Sequence, residues 1–395
     1  MKNIDDFNFR NRKALLRVDF NVPLNDKLIV TDETRIIAAI PTIKKIITEG
    51  GSVILMSHLG RPKKGPEDKY SLKHIIPNLQ EKLGTEIKFA RDCIGASALD
   101  LSKSLGTGEV MLLENVRFYP EETKGDEIFA SKLAKLGDIY VNDAFGTAHR
   151  AHASTTIVAQ FFKDKCAGYI MGSELANAKK VLENPIRPFT AIMGGAKISG
   201  KIMIIEKLLD KVDHLIIGGG MSYTFSKAQG GAIGKSLCEN NRMALTLELI
   251  KKAKAKGVKL YLPLDNVIAD NFSNEANRQI VPSGEIPDDW EGLDIGPQSI
   301  NDFENVIKNS KTILWNGPMG VFEFPNFARG TEAVAEAVVT ATQNGGFSLI
   351  GGGDSAAAIN NLGYGDKVSY ISTGGGALLE YMEGKTLPGV AILED

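Results

Sequence analysis

No apolar run in this sequence approaches the roughly 20 residues that a membrane-spanning helix needs. Cysteine is scarce: Cys93, Cys166 and Cys238 are the only three, and they are scattered. They form neither a disulfide framework nor a metal-ligand spacing, so reduced structural thiols are expected. An excess of one charge is lacking too. Lys and Arg total 46 against 48 Asp and Glu, a net charge of −2. That balance offers no general basic face for nucleic acid or a membrane surface. Histidines are few, and His149 and His152 have no further ligand partners in view, so no metal site is read from them. The opening residues, MKNIDDFNF, carry acids where a signal peptide has an apolar core. Together these absences predict a soluble, cytoplasmic protein that binds neither nucleic acid nor membrane.

What is plentiful is glycine. The 41 glycines follow no repeat; they gather at the ends of apolar runs, as at Gly194–Gly195, Gly218–Gly220, Gly351–Gly353 and Gly374–Gly376. Arginine is unevenly spread. Eight of the twelve lie in the first 150 residues: Arg10, Arg12, Arg17, Arg35, Arg61, Arg91, Arg117 and Arg150. Arg10, Arg12 and Arg91 read as surface solvation. Arginines that end apolar runs instead suggest bidentate anion binding.

Short apolar runs alternate with longer amphipathic ones along all 395 residues. ALLRVDF (14–20), SVILMSHL (52–59), EVMLLENV (109–116) and DIYVNDAF (138–145) read as strands in the first half. FTAIMGG, HLIIGGG, KLYLPLD, TILWNG, FSLIGGG and VSYIST follow in the second. Stretches such as SLKHIIPNLQEKLG (71–84), DEIFASKLAKLG (126–137) and ISGKIMIIEKLLDKVD read as helices between them. Strands apolar on both faces, each followed by a helix, imply parallel sheets covered on both sides. Two sets of five or six strands exceed one comfortable sheet, so the expected class is α/β with two doubly wound domains, rather than one eight-stranded barrel. The expected limits are 1–170 and 171–379. GSELANAKKVLENP (172–185) has the caps and spacing of a connecting helix.

In such sheets ligands sit beyond the carboxyl ends of the strands, where nearly every polar motif falls. In the first half these ends deliver Asp19 and Asn21, His58 and Arg61, Arg117, and His149 with Arg150, while Arg35 opens a helix after TDET. Several guanidinium groups in one domain suit a small anion with more than one charged group. Asp19 and Asn21 suit its hydroxyl. In the second half GGAK, IIGGGM, WNGPMG, IGGGDS and STGGGA put glycine at strand-to-helix turns. There backbone N–H groups and a helix N-terminus favour phosphate. Asp354 is a hard oxygen ligand suited to Mg2+, and Ser355 stands near a helix start.

GGAKISGKI (194–202) needs separate treatment. From Gly195 it spells the P-loop skeleton G-x-x-x-x-G-K, but Ile202 stands where that motif has a hydroxyl for magnesium. Lys197 and Lys201, four apart, are expected on one face of the first helical turns, placed to neutralise phosphoryl oxygens. A glycine-rich nucleotide half beside an arginine-rich anion half describes a phosphotransferase with two substrates. The rival readings are a P-loop NTPase and a non-catalytic nucleotide-binding scaffold.

RVDFNVP, SHLGRP, ENVRF, GTAHRAHAS, GGAK, GGGM, WNGPMGVFE, GGGDS and STGGGA, in that order, make the chain resemble the phosphoglycerate kinase family over essentially its whole length. The resemblance implies two Rossmann-like lobes joined by a hinge helix, with residues 380–395 returning to the first lobe. It implies a monomer that exchanges a phosphoryl group between 1,3-bisphosphoglycerate and ADP, giving 3-phosphoglycerate and ATP. That exchange is expected to be in line, across a cleft that closes. By resemblance, Asp19, Asn21, Arg35, His58, Arg61, Arg117 and Arg150 bind the phosphoglycerate. Lys197 steadies the phosphoryl group in flight, helped by Arg35 and Gly375. Lys201 contacts nucleotide phosphates, with Gly195, Gly219, Asn316, Gly352, Gly353 and Ser355 around them. Gly292 lies at the adenine, Glu323 at the ribose, and Asp354 holds the magnesium. The chain departs from the family at Gly200, where the family usually has Asp.

Overall fold

The computed structural model describes residues 1–63 and 65–394. They fall into two compact units, Met1–Ala176 together with the segment from Lys385 onward, and Asn177–Gly384. The helix Tyr169–Leu182 carries the chain from the first unit into the second. It begins three residues ahead of the stretch expected from GSELANAKKVLENP, and Gly172 lies inside it rather than before it. Its first turn is fixed from outside: Asp143 Oδ1 accepts from Met171 N at 3.1 Å.

The first unit is built on six parallel strands. From edge to edge they run Ile87–Phe89, Val110–Leu112, Ser52–Met56, Lys13–Arg17, Ile139–Asn142 and Lys165–Ala167. Ser52–Met56 and Ile139–Asn142 are buried at every position, as apolar strands covered on both faces must be. The helix Thr34–Thr48 lays Ile36, Ile43 and Ile46 against Leu16, Val18, Val53 and Leu55. Each such side chain contributes about 1.5–3 kcal/mol when taken out of water. The segment from Lys385 completes this unit. Gly389 N donates to Ala148 O at 2.8 Å, and Asn142 Nδ2 donates to Gly389 O at 3.2 Å.

The second unit repeats the plan in the order Lys259–Tyr261, His214–Ile217, Phe189–Met193, Thr312–Asn316, Phe347–Gly351 and Tyr370–Ile371. Ile192, Ile216, Trp315 and Ile350 pack with Phe303, Ile307, Val334 and Val338 from two helices. The run KLYLPLD is not one strand. It stops at Tyr261, and the chain starts again at Asp265 in a separate antiparallel sheet, Arg278–Pro282, Asp265–Ala269, Glu291–Ile295. Pro263 explains the break, because it has no N–H to continue a ladder. A two-residue parallel pair, Ala232–Ile233 with Glu285–Ile286, lies beside it.

In both sheets the chain starts near the middle, builds out to one side and then crosses to the other. The order therefore reverses between Lys13–Arg17 and Ile139–Asn142, and again between Phe189–Met193 and Thr312–Asn316. Such reversals leave a crevice beyond the carboxyl ends of the two strands.

Candidate functional site

On the first unit that crevice gathers the expected residues. Asp19 and Asn21 follow the strand Lys13–Arg17. Asp19 Oδ2 accepts from Arg35 Nη1 at 2.9 Å, and the same nitrogen donates to Asn21 O at 3.2 Å. Asn21 Oδ1 accepts from Gly60 N at 2.7 Å, and Gly60 O accepts from Arg117 Nη1 at 3.0 Å. Three strand ends are thus laced together through Gly60. Its φ of +62° is a left-handed conformation that glycine adopts without strain, and an added Cβ would meet the Tyr70 ring at 2.4 Å.

Arg61, Arg117, Arg150 and His152 border a cleft of about 490 Å³, together with Lys63. Arg150 Nε donates to His149 Nε2 at 3.0 Å. Burial and the neighbouring guanidinium groups of Arg17 and Arg150 lower Arg117 to about 10, which leaves it cationic at neutral pH. Burial, with Arg117, Arg150, Arg17 and His149, brings His152 down to about 4. His58 is buried, and burial with the surrounding arginines holds it well below its ordinary range. Both rings are therefore neutral, and the positive charge of the cleft comes from arginine and lysine.

On the second unit the crevice is lined by backbone. Gly194 N donates to Asn316 O at 2.9 Å and Gly195 N to Pro318 O at 2.8 Å, joining the GGAK and WNGPMG turns. Gly219 fits between them: its φ is +67°, and a Cβ there would lie 2.5 Å from Gly195 N. Asn316 leads to the third turn, since a Cβ on Gly352 would meet its Nδ2 at 2.8 Å. Gly317 N donates to Ser355 Oγ at 2.6 Å. Gly353 and Asp354 open the helix Gly353–Asn361, so its free N–H groups and Asp354 stand at one turn. Gly375, with φ +50°, precedes the helix Gly376–Met382, whose Leu378 packs against Gly351. Gly292 lies on Glu291–Ile295 with Tyr223 against it, and its N donates to Ser236 Oγ at 2.9 Å. Val321 N donates to Leu293 O, bringing the turn that carries the exposed Glu323 to the same strand.

The two lysines part company. The helix begins only at Ile202, so Lys197 and Lys201 precede it and do not share a helical face. Lys201 N donates to Ile198 O, closing a turn, and Ser199 N donates to Glu239 Oε2 at 3.0 Å. Those two bonds hold residues 198–201 out of the helix. Lys201 points inward, and its Nζ donates to Gly194 O and, at 3.1 Å, to Asn316 O. Burial lowers it to about 8, against the pull of Asp354. Lys197 is exposed.

The phosphoglycerate kinase family model matches residues 4–385. The chain belongs to the phosphoglycerate kinase family. It is 54% identical to the phosphoglycerate kinase of Porphyromonas gingivalis over 416 residues, covering 99% of each chain. It is also 54% identical to a cytosolic phosphoglycerate kinase of Nicotiana tabacum, over 99% of this chain and 98% of that one. The structure of phosphoglycerate kinase from Coxiella burnetii superposes with a TM-score of 0.90 at 40% identity, over 100% of this chain and 98% of that one. Membership makes this chain a glycolytic kinase, a transferase that takes ATP or ADP and a small-molecule substrate.

Three participants escape a reading of the sequence. Arg17 is the last residue of its strand and the first of the motif RVDFNVP, and it is buried rather than open to a ligand as its place at the end of an apolar run suggests. Glu122, in PEET, looks like one more surface acid of a short helix, yet it too is wholly buried. Glu239 reaches back 40 residues to the GGAK turn. Strand periodicity marks Arg17 as a strand end, but nothing local marks the other two.

Proposed function

We propose that the first unit binds the phosphoglycerate, the second binds the nucleotide, and the phosphoryl group passes in line between 1,3-bisphosphoglycerate and ADP. The observation that carries this reading is the arginine-lined cleft at the strand reversal of the first unit, matched by glycine turns at the strand reversal of the second. Arg61, Arg117 and Arg150 are assigned to the charged groups of the phosphoglycerate. Asp19, Asn21 and His58 are assigned to its hydroxyl and carboxyl oxygens, with Arg35 reaching the transferred group.

Lys197, Arg35 and the N–H beside Gly375 steady the phosphoryl oxygens. Lys201 meets the nucleotide phosphates among Gly195, Gly219, Asn316, Gly352, Gly353 and Ser355, while Gly292 and Glu323 take adenine and ribose. Among the described residues no group of three His, Cys, Asp or Glu could hold a metal. A single carboxylate, Asp354, at a phosphate-binding turn fits Mg2+, which is commonly held by one or two carboxylates and substrate phosphates. Bound there with the nucleotide, magnesium would neutralise phosphoryl charge.

The acceptor in the reverse direction is a carboxylate, ionised near neutral pH. No side chain has to act as a general base, and the residues named work by position and charge. Transfer then requires the two units to close on their ligands, with the hinge motion expected from the sequence. A monomer in the cytoplasm is part of the same proposal, checked by sedimentation and cell fractionation. The deciding experiment is a coupled assay with ATP, magnesium and 3-phosphoglycerate, for which turnover is expected. Folded protein without turnover would leave the reading untenable.

A further inference from the structure

Behind the cleft of the first unit runs a chain of hydrogen bonds that starts at a carboxylate with no solvent exposure. Glu122 accepts from Ser154 N at 2.9 Å and from Ser154 Oγ at 2.7 Å. Ser154 Oγ in turn accepts from Arg17 Nε at 2.8 Å. Arg17 is 1% exposed. Its Nη1 donates to Val18 O, and its Nη2 lies 3.3 Å from His58 Nδ1.

A guanidinium can only donate. His58 Nδ1 must therefore offer its lone pair to Arg17, which leaves the one proton of the neutral ring on Nε2. A carboxylate accepting from Nδ1 would select the opposite tautomer. Asp19 is the acid nearest to it, but its oxygen is 3.9 Å away. Its carboxylate oxygens accept instead from Arg35 Nη1 and Asn21 N. The other groups facing the ring are the cations Arg17, Arg117, Arg35 and Arg150, which disfavour a second proton. The chain also explains why Arg17 is tolerated in the interior. Glu122 offsets its charge through the Ser154 hydroxyl, and a buried charge without such a partner is strongly destabilising.

We propose that Glu122 and Ser154 are positioning residues which, acting through Arg17, fix His58 as the neutral Nε2–H tautomer and present it to the phosphoglycerate as a hydrogen-bond donor. The inference rests on the assignment of His58 to that substrate. It gives the cleft a division of labour: arginines read charge, and His58 reads an uncharged or carboxylate oxygen with a protonation state that does not change near neutrality.

The test begins with long-range 1H–15N correlation of the histidine rings in the full-length protein without substrate. His58 is expected as the Nε2–H tautomer throughout pH 6–8. An Nδ1–H ring, or one that titrates in that range, overturns the proposal. Ser154→Ala, which breaks the relay, is expected to mix the tautomers. It should also raise the KM for 3-phosphoglycerate about fivefold to tenfold, the loss of one oriented hydrogen bond, with the KM for ATP and kcat held. Ser154→Thr, which keeps a hydroxyl, should restore both readouts. An unchanged tautomer and KM in Ser154→Ala would remove the relay from the account. If Ser154→Ala does not fold, Glu122→Gln is decided by the same two measurements. Failure of the kinase reading itself would show separately, as wild-type protein without turnover whose His58 tautomer is still the expected one.

Discussion

Lys201 shows how one side chain acquires a pH dependence from its place in the fold. Burial against the GGAK and WNGPMG turns brings it to about 8, below the unfolded value of 10.5. Between those two values the unfolded chain binds the extra proton, so the stability that burial takes away below pH 8 is recovered as pH rises through that window. Function runs the other way. A lysine that loses its charge above pH 8 holds phosphate less well, so the KM for ATP is expected to rise about fivefold to tenfold between pH 7.5 and 9.5. Lys201→Met should start from a raised KM and lack that rise. A flat wild-type profile would take Lys201 out of phosphate binding. The four-residue spacing of Lys197 and Lys201 put both on one helical face, although the family resemblance gave them different roles. Only the bonds of Ser199 to Glu239 and of Lys201 to Gly194 and Asn316 separate an inward lysine from an outward one.

The turn Gly194–Lys201 and the turn at Gly219 form a pair of elements with opposite tolerances. A Cβ on Gly219 would meet Gly195 N at 2.5 Å and Pro318 O at 2.7 Å in a left-handed conformation. Gly219→Ala is therefore expected to cost about 2–3 kcal/mol in chemical denaturation. At Gly200 an added Cβ meets nothing within 4 Å, and the backbone there is not left-handed. Gly200→Asp should then fold with a stability within about 0.5 kcal/mol of wild type. Equal losses for the two substitutions would contradict the close approach seen at Gly219. Because the family resemblance implies an acid at this position, Gly200→Asp should also raise activity or sharpen the magnesium dependence. An unchanged assay would show that this acid is dispensable here. The element limits themselves were largely legible, since alternating apolar runs and glycine turns are local signals. KLYLPLD is one exception, a strand by hydropathy whose proline forces a change of sheet, and the helix expected over ISGKIMIIEKLLDKVD, which starts only at Ile202, is another.

Across the whole molecule, the first unit depends on residues that lie more than 200 positions beyond its last strand. Leu387, Val390 and Leu393 are buried in it, and Gly389 bonds to Asn142 and Ala148 beside the turn that carries Arg150. A chain ending at Gly384 gives up that burial, about 5 kcal/mol by the area of three apolar side chains. Both tryptophans, Trp290 and Trp315, belong to the second unit. Far-UV circular dichroism is therefore expected to show an early transition in the truncated chain while tryptophan fluorescence keeps its midpoint. Coincident transitions moved by the same amount would contradict independent stabilisation of the first unit by the tail. The affinity for 3-phosphoglycerate should fall with the early transition, because Arg150 sits on the turn that the tail supports.

By itself the sequence determined the alternation of strand and helix, the two parallel sheets, the strand-end placement of the site residues and membership in the phosphoglycerate kinase family. These follow from hydropathy over a few residues and from motifs within one turn. Tertiary structure alone decided that Lys201 turns inward while Lys197 does not, that Glu239 reaches the turn after GGAK, and that Glu122 stands behind His58 through Ser154 and Arg17. Each of those depends on which groups lie together out of water. The energy of a buried charge or hydrogen bond is set by partners far away in the chain, which no local pattern records.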